Sequence, residues 1–355
     1  MYKMNNMIKK NKLTIKDIAE YAKVSKTTVS FYLNGKFEKM SEETKKNIEN
    51  VIKQTEYTPD MIARSLTTKK TKLIGVIVSD ITSPFSSNLV AGVDSVARKE
   101  DYQIIVASGG YDFEYEKKII NNMLDMRVAG FIVQSSVKFI PLTKKIKEKG
   151  GEIVLLDSVS KEYKGDWVKT NNIEITKEAI EVLVKKGYNN FIMVAQNPDF
   201  LASRLERKIS FEKTLKDLKI DYCVEIVDEK FKFDELKKAI DKHIHKNKKN
   251  LLFANNGRIL KMVYDFCKIM NYDTPNNVGI IGFDKWEWTD YATPKVSTIA
   301  QPNFEEGEKA ASLLISKIKK DSKDINDKQR THVFNCEIFW NESTSLDINT
   351  NFELT

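Results

Sequence analysis

Residues 13–34 read LTIKDIAEYAKVSKTTVSFYLN, and the order of caps and apolar positions in this stretch governs the reading of the whole chain. Thr14 followed three residues later by Asp17 has the form of a capping box, a hydroxyl accepting from an orphan helix N–H while the carboxylate reaches back. Ile15, Ile18, Ala19 and Ala22 then recur at helical spacing and make one apolar stripe. Ser25 predicts the cap of a second helix in which Val29 and Leu33 turn inward, leaving Lys26, Thr27, Ser30 and Phe31 outside. Asn34-Gly35 ends it, since both residues tolerate positive φ. Two helices this short cannot bury enough surface to stand alone. Ser41-Glu42-Glu43 starts a third, a serine cap with two acids set against the helix dipole, followed by Ile48, Val51 and Ile52 on one face. Periodicity by itself suits a generic helical bundle with a wet polar face equally well.

The order of residues separates the two readings. The run from Thr14 to Leu66, with Asp17-Ile18-Ala19, Val24-Ser25, Thr28-Val29-Ser30, Leu33-Asn34, Ser41-Glu42-Glu43-Thr44, Tyr57-Thr58-Pro59 and Ala63-Arg64-Ser65-Leu66, closely resembles the DNA-binding headpiece of the lactose-repressor (LacI/GalR) family. The resemblance implies an all-α helix-turn-helix headpiece over residues 1–58. Double-stranded operator DNA is then the partner of Thr14, Ser25, Lys26, Thr27, Thr28, Ser30, Phe31 and Asn34. Phe31 departs from the family pattern, in which arginine is common there. The resemblance also implies a hinge helix and linker over 59–72 that folds on DNA, pairs with its dimer mate and presents Ala63 and Leu66 to the minor groove, where an apolar wedge kinks the duplex. A helix of two turns is too short to persist alone in water. A flexible tether with Leu66 packed on the body is the other reading.

Charge supports a polyanion partner at this end of the chain. The net +8 sits within residues 1–72, which hold 16 Lys/Arg against 8 Asp/Glu; the remainder is balanced at 42 of each. Such a basic module favours nucleic acid through counterion release, whereas runs such as Lys144 to Lys149 read as solvated surface. The basic first residues contain no apolar signal segment, and no apolar stretch approaches the ~20 residues of a membrane span, so the expected location is cytoplasmic with no membrane partner. Cys223, Cys267 and Cys336 are odd in number and widely spaced, which predicts reduced thiols. No zinc-like ligand spacing occurs, so no metal and no cofactor is expected.

From Lys72 onward short apolar runs alternate with amphipathic helices, the pattern of parallel sheets covered on both faces. Leu73 to Val78, Ile104 to Ala107, Phe131 to Val133 and Ile153 to Leu156 predict one set of strands. Phe191 to Ala195, Val224 to Val227, Leu251 to Ala254 and Val278 to Phe283 predict a second. The fold class is therefore α/β: a helical headpiece followed by a two-lobed core of doubly wound parallel sheets, similar to the periplasmic-binding-protein-like core of the same family. The core is expected over 73–340, lobe one at about 73–165 plus 297–325 and lobe two at about 166–296 plus 326–340, with a short tail over 341–355.

Open parallel sheets bind ligands beyond the carboxyl ends of their strands. Residues just past the runs here are polar: Ser79, Asp80, Ser108, Gln134 and Asp157 in one set, Gln196, Asn255, Asn256 and Asp284 in the other. These groups suit a polyhydroxylated ligand, although Ser108 and Gln134 read equally well as strand-end turns. The resemblance singles out Arg207, Asn255 and Asp284 as effector contacts, with Ser210 standing where glycine is usual. Phe85 joins the expected effector set. In Lys285-Trp286-Glu287-Trp288, Trp286 is expected to stack on a sugar ring while Trp288 packs against the lobe. Arg204, Arg207 and Lys285 favour a sugar acid or sugar phosphate. Headpiece details also resemble repressors of uronate- or gluconate-type operons.

No GxSxG, phosphate-binding or dinucleotide fingerprint is present, Ser79-Asp80-Ile81-Thr82-Ser83-Pro84 standing where the last would be, so no catalytic residue is expected. A transporter's solute-binding protein would share the core but needs a signal peptide and no headpiece. The expectation is a homodimeric, sugar-responsive repressor of a carbohydrate-utilisation operon, with a phosphoprotein co-regulator as a further candidate partner. The residues after Trp340 show no leucine heptad that would make a tetramer.

Overall fold

A computed structural model describes residues 13–58, 71–228, 233–319 and 329–345. The chain divides into two compact units at Thr71/Lys72. Among the described residues the smaller unit has three α-helices: α1 (Ile15–Tyr21), α2 (Lys26–Leu33) and α3 (Glu42–Thr55), with a 3₁₀ turn at Phe37–Lys39. The capping box forms: the Thr14 N–H donates to Asp17 Oδ2 at 2.8 Å, and the Asp17 N–H to Thr14 Oγ1 at 3.4 Å. Ser25 Oγ and Ser41 Oγ accept from the N–H groups of Thr28 and Thr44, so each start is fixed by one hydroxyl worth about 1 kcal/mol. Ile18, Ala19, Ala22, Val29, Ile48 and Val51 close the core. At the end of α2 only Gly35 takes positive φ (+68°). Asn34 stays at φ −99° and turns its amide onto Ser30 O at 2.8 Å, so the side chain rather than the backbone finishes the helix.

The larger unit contains two six-stranded sheets. The first is built from β1 (Leu73–Val78), β2 (Gln103–Ser108), β3 (Gly130–Val133), β4 (Glu152–Leu156), β5 (Asp166–Thr170) and β11 (Thr331–Phe334), in the order β11-β5-β4-β3-β1-β2 and all parallel. The second holds β6 (Asn190–Gln196), β7 (Asp221–Val227), β8 (Asn250–Ala254), β9 (Val278–Phe283), β10 (Ser297–Ala300) and β12 (Glu337–Phe339), ordered β12-β10-β9-β8-β6-β7. Among the described strands only β12 runs antiparallel, beside β10. Strand order reverses between β1 and β3 in one sheet and between β6 and β8 in the other. Those reversals leave the crevices in which doubly wound sheets take ligands.

Helices cover the faces: α4 (Pro84–Lys99), α5 (Phe113–Asp125), α6 (Ile140–Glu148), α7 (Asn172–Lys185), α8 (Ala202–Leu218), α9 (Phe233–Asp241), α10 (Gly257–Ile269), the short α11 (Trp288–Tyr291) and α12 (Asn303–Lys319). α12 crosses α4 with their backbones nearly touching. A Cβ on Gly92 would lie 2.0 Å from Phe304 O, and one on Gly307 2.1 Å from Leu89 O.

The lobe boundaries differ from the expectation in four places. Residues 166–170 form β5 in the first sheet; Asp166 is buried there because Arg330 pairs with it at 2.7 Å, which hides a strand whose composition is polar. Ser297–Ala300 belongs to the second sheet and not to lobe one, registering with β9. Residues 331–339, expected within lobe two, are divided between the lobes, β11 closing the first sheet and β12 the second. Residues 341–345 are no tail: Ser343 Oγ donates to Ile280 O at 2.6 Å and accepts from the Ser297 N–H at 2.8 Å, and both Ser343 and Thr344 are buried. The chain consequently passes between lobes three times, after β5, after β10 and after β11.

Candidate functional site

On the headpiece, the first turn of α2 leaves Lys26 and Thr27 exposed. Ser25 and Thr28 are partly committed to capping, their hydroxyls 2.8 Å apart, and Thr14 is committed to the start of α1. Ser30 and Phe31 are half-buried; Lys39 lies over the Phe31 ring at 5.0 Å. Asn34 is exposed, with its amide on Ser30. An exposed first turn bearing a lysine and a threonine has the donors and methyl groups that read base edges in a major groove. Ala63 and Leu66 lie outside the described residues.

In the larger unit a cavity of about 390 Å³ opens between the strand ends of the two sheets. Asp80, Gln134, Asp157 and Asp284 line it from the strand ends, and Phe85, Arg207 and Trp286 line it as well. Ser79 and Asn255 do not: they stand behind the wall and position others. The Ser79 N–H donates to Gln134 Oε1 at 3.0 Å, and Asn255 gives its amide to Arg204 O and its carbonyl to Arg207. Lys285 turns away to pair with Asp290 at 3.3 Å. Trp288 packs on Tyr264, ring centroids 5.2 Å apart, while Trp286 faces the cavity.

Arg207 organises the second-lobe wall from α8. Its Nε donates to Asn172 Oδ1 (2.8 Å), Nη1 to Asn255 O (2.9 Å) and Nη2 to Gln301 Oε1 (2.7 Å), and its guanidinium lies 3.7 Å from the centre of the Phe283 ring. Gln301 passes the chain of bonds on, donating to Asp284 Oδ1 at 2.6 Å. Asp284 Oδ2 accepts from the Gly257 N–H at 2.8 Å, so this carboxylate already occupies the start of α10. Across the cleft Asp157 Oδ2 accepts from Gln134 Nε2 (2.8 Å) and from Ser203 Oγ of the other lobe (3.2 Å). Burial raises the Asp157 carboxyl and the Arg207 charge opposes that rise. Asp157 and Asp284 both take left-handed backbone, φ +59° and +75°, a conformation that aspartate tolerates better than most residues and that clusters at functional sites.

The lobes touch around the cavity. Val137 N–H donates to Phe200 O at 3.0 Å, Ala202 N–H to Ser158 Oγ at 2.8 Å, and Lys169 pairs with Glu206 at 2.5 Å. Arg204 sits 4.7 Å over the Tyr111 ring from the opposite lobe. Tyr111, Ser203, Arg258 and Gln301 line the cavity without having been anticipated as site residues; Gln301 follows β10 just as Asp284 follows β9, so the strand-end rule would have found it had the short β10 been counted. Below them Glu306 on α12 is fully buried with neither carboxylate oxygen hydrogen-bonded among the described residues.

A helix-turn-helix with an exposed reading turn, carried on the same chain as a two-lobed ligand cleft, defines a ligand-responsive DNA-binding regulator. The family described as "Bacterial regulatory proteins, lacI family" matches residues 14–60, and the "Periplasmic binding protein-like domain" matches residues 180–344. The HTH-type transcriptional regulator KdgR of Bacillus subtilis is 32% identical over 311 residues, covering 87% of this chain and 92% of that protein. The chain belongs to the LacI family: it is a DNA-binding transcription regulator and not an enzyme. In fold it matches the lac repressor dimer bound to operator and anti-inducer (TM-score 0.78, 19% identity, 94% of this chain and 99% of that one). It also matches a LacI-family regulator of Enterococcus faecium with bound ribose (TM-score 0.65, 24% identity, 77% and 98%). Among the described residues no helix is long and apolar enough to cross a membrane.

Proposed function

We propose that this chain acts in the cytoplasm as a homodimeric repressor whose operator affinity is set by a small sugar or sugar acid bound between its lobes. The observation that carries the reading is the bond chain Arg207–Gln301–Asp284 on one wall, facing Gln134–Asp157 on the other, with Ser203 joining the two lobes. A polyol seated there adds donors and acceptors to both walls at once, which favours the closed cleft over an open one by the difference in contacts. Two-fold pairing of headpieces on a near-palindrome follows from the geometry of helix-turn-helix readers, and the lac repressor that this fold matches is a dimer bound to operator. Ligand and operator then share one reciprocal coupling free energy.

The test is operator affinity by fluorescence anisotropy, with and without a panel of sugars, aldonates and uronates, on wild type and Arg207→Ala. One or more compounds should change wild-type affinity, and Arg207→Ala should not respond. If no compound alters operator binding, or the mutant responds at the wild-type concentration, the cleft is not the sensor.

A further inference from the structure

One short segment of lobe two, residues 200–206, touches four separate parts of lobe one: Phe200 O accepts from the Val137 N–H, Ala202 and Ser203 bond to Ser158 and Asp157, Arg204 lies over the Tyr111 ring and Glu206 pairs with Lys169. The bond at Ala202 differs in kind from the others. Ala202 is the first residue of α8, and its N–H is one of those that a helix leaves without an intrahelical acceptor. α2, α3, α5 and α10 each take a side-chain cap from the residue just before the helix. In α8 that residue is Leu201, whose side chain has no oxygen and makes no cap bond. The acceptor comes from the opposite lobe instead, as Ser158 Oγ at 2.8 Å.

Lobe one holds that hydroxyl in place. Asp157 before it turns the chain with φ +59°, the Ser158 N–H donates to Leu156 O at 2.6 Å, and the Ser158 carbonyl accepts from Ser135 Oγ at 2.9 Å. The serine is buried. Arg207 follows in the second turn of α8, so the helix capped from across the cleft is the one that carries the second-lobe wall. When the lobes part, the start of α8 loses its cap and must turn to water.

We infer that Ser158 is a positioning residue of the cleft: it supplies the cap of α8 from the opposite lobe, a bond made only while the lobes are closed, and thereby holds the ligand-free core shut with α8 and Arg207 set against the first-lobe wall. The inference rests on the proposed ligand-binding role of the cleft for its consequence alone, that a ligand enters by breaking this bond. Removing a serine cap raises the ratio of open to closed core about fivefold, equal to ~1 kcal/mol.

The experiment is hydrogen–deuterium exchange of the ligand-free full chain, resolved to single amides by fragmentation in the mass spectrometer. Two amides report opening from opposite lobes: Ala202, bonded to Ser158 itself, and Val137, which donates to Phe200 O. Ser158→Ala should speed exchange at both by about fivefold, and Ser158→Thr, which keeps the hydroxyl, should restore both. Ala202→Pro breaks the same bond from the other side and serves if Ser158→Ala does not fold. Proline suits the first position of a helix and has no N–H to offer, and Leu201 already has the extended backbone (φ −128°, ψ 128°) that a following proline requires. Val137 should quicken in that variant too, while Ile192, inside β6 between β7 and β8, should keep its wild-type rate. A faster Ala202 with an unchanged Val137 makes Ser158 a local cap and overturns the inference. An unprotected Val137 in the wild type, equal rates in the alanine and threonine variants, or a parallel rise at Ile192 overturns it as well. None of these rates involves a ligand, so failure here leaves the cleft's role to be judged separately by the operator response.

Discussion

Gly257→Ala is the sharpest small perturbation of this molecule. The added methyl would meet Trp286 Cε2 and Cζ2 at 2.6 Å and Asp284 Cβ at 2.8 Å, well inside the roughly 3.5–4 Å of an optimal carbon contact. The indole must therefore shift by about 1 Å or the start of α10 must back away from β9. Overpacking of this kind costs about 1–3 kcal/mol, and the helix propensity of alanine over glycine returns about 1 kcal/mol at most. A net loss near 1–2 kcal/mol lowers the core's melting transition by about 2–8 °C for a unit of this size. The site should suffer more than stability does, because the displaced groups are the Trp286 ring, which lines the cavity, and the Gly257 N–H that holds Asp284 at 2.8 Å. Differential scanning calorimetry with and without a stabilising ligand measures both effects. Trp286→Ala in the same background removes the 2.6 Å clash, so the double mutant should lose less than the sum of the single losses. A melting transition within about 1 °C of wild type together with a full ligand response would refute this account of the α10 start.

Other outcomes follow from the same coordinates and from the headpiece sequence. Lys26→Ala should relax base preference at one or two positions per half-site, measured by selection on randomised operators, because its side chain stands free at the start of α2. Leu66→Ala should abolish operator bending, read by energy transfer between labelled DNA ends, while non-specific binding persists because no charge is lost; a minor-groove wedge offsets unstacking of a few kcal/mol. Burial, reinforced by the Asp157 charge, holds the Glu306 carboxyl well above its ordinary 4.5. The folded protein thus retains a proton that the unfolded chain releases, and stability falls as pH rises from 4.5 toward the folded value. Glu306→Gln should flatten that slope in melts between about pH 5 and 8, and an unchanged slope would assign the effect elsewhere.

The parts of this structure legible in the sequence are those written by short-range chemistry. Thr14, Ser25 and Ser41 announce helix starts because a hydroxyl and an N–H two or three residues later are enough to make a cap. Buried strands show as apolar runs, and the residue after each run falls at the sheet's edge, which is how Asp157, Gln134 and Asp284 could be placed at one cavity. What was hidden depends on partners far away in sequence. The polar β5 becomes a buried strand only when Arg330 meets Asp166, 164 residues apart. Ser79 and Asn255 end strands as their neighbours do, yet the backbone turns them to the supporting side of the wall. Tyr111 reaches the cavity from a loop in left-handed conformation, φ +59°, that no periodicity marks.

The three crossings between lobes have a consequence for how the chain comes off the ribosome. Residues 73–170 emerge early and contain five of the six strands of the first sheet, but its edge strand β11 and its covering helix α12 lie at 331–334 and 303–319. The apolar face that α12 covers, including Leu89, Val93, Val154 and Leu156, joins Ala310, Ala311 and Leu314 in one core cluster. The lobe made first is therefore completed last. Through most of synthesis, at about 5–20 residues per second, the nascent chain presents that face uncovered while the second lobe is still being added. Its safety in the cell depends on holding that partly built sheet apart from other chains until the final sixty or so residues arrive.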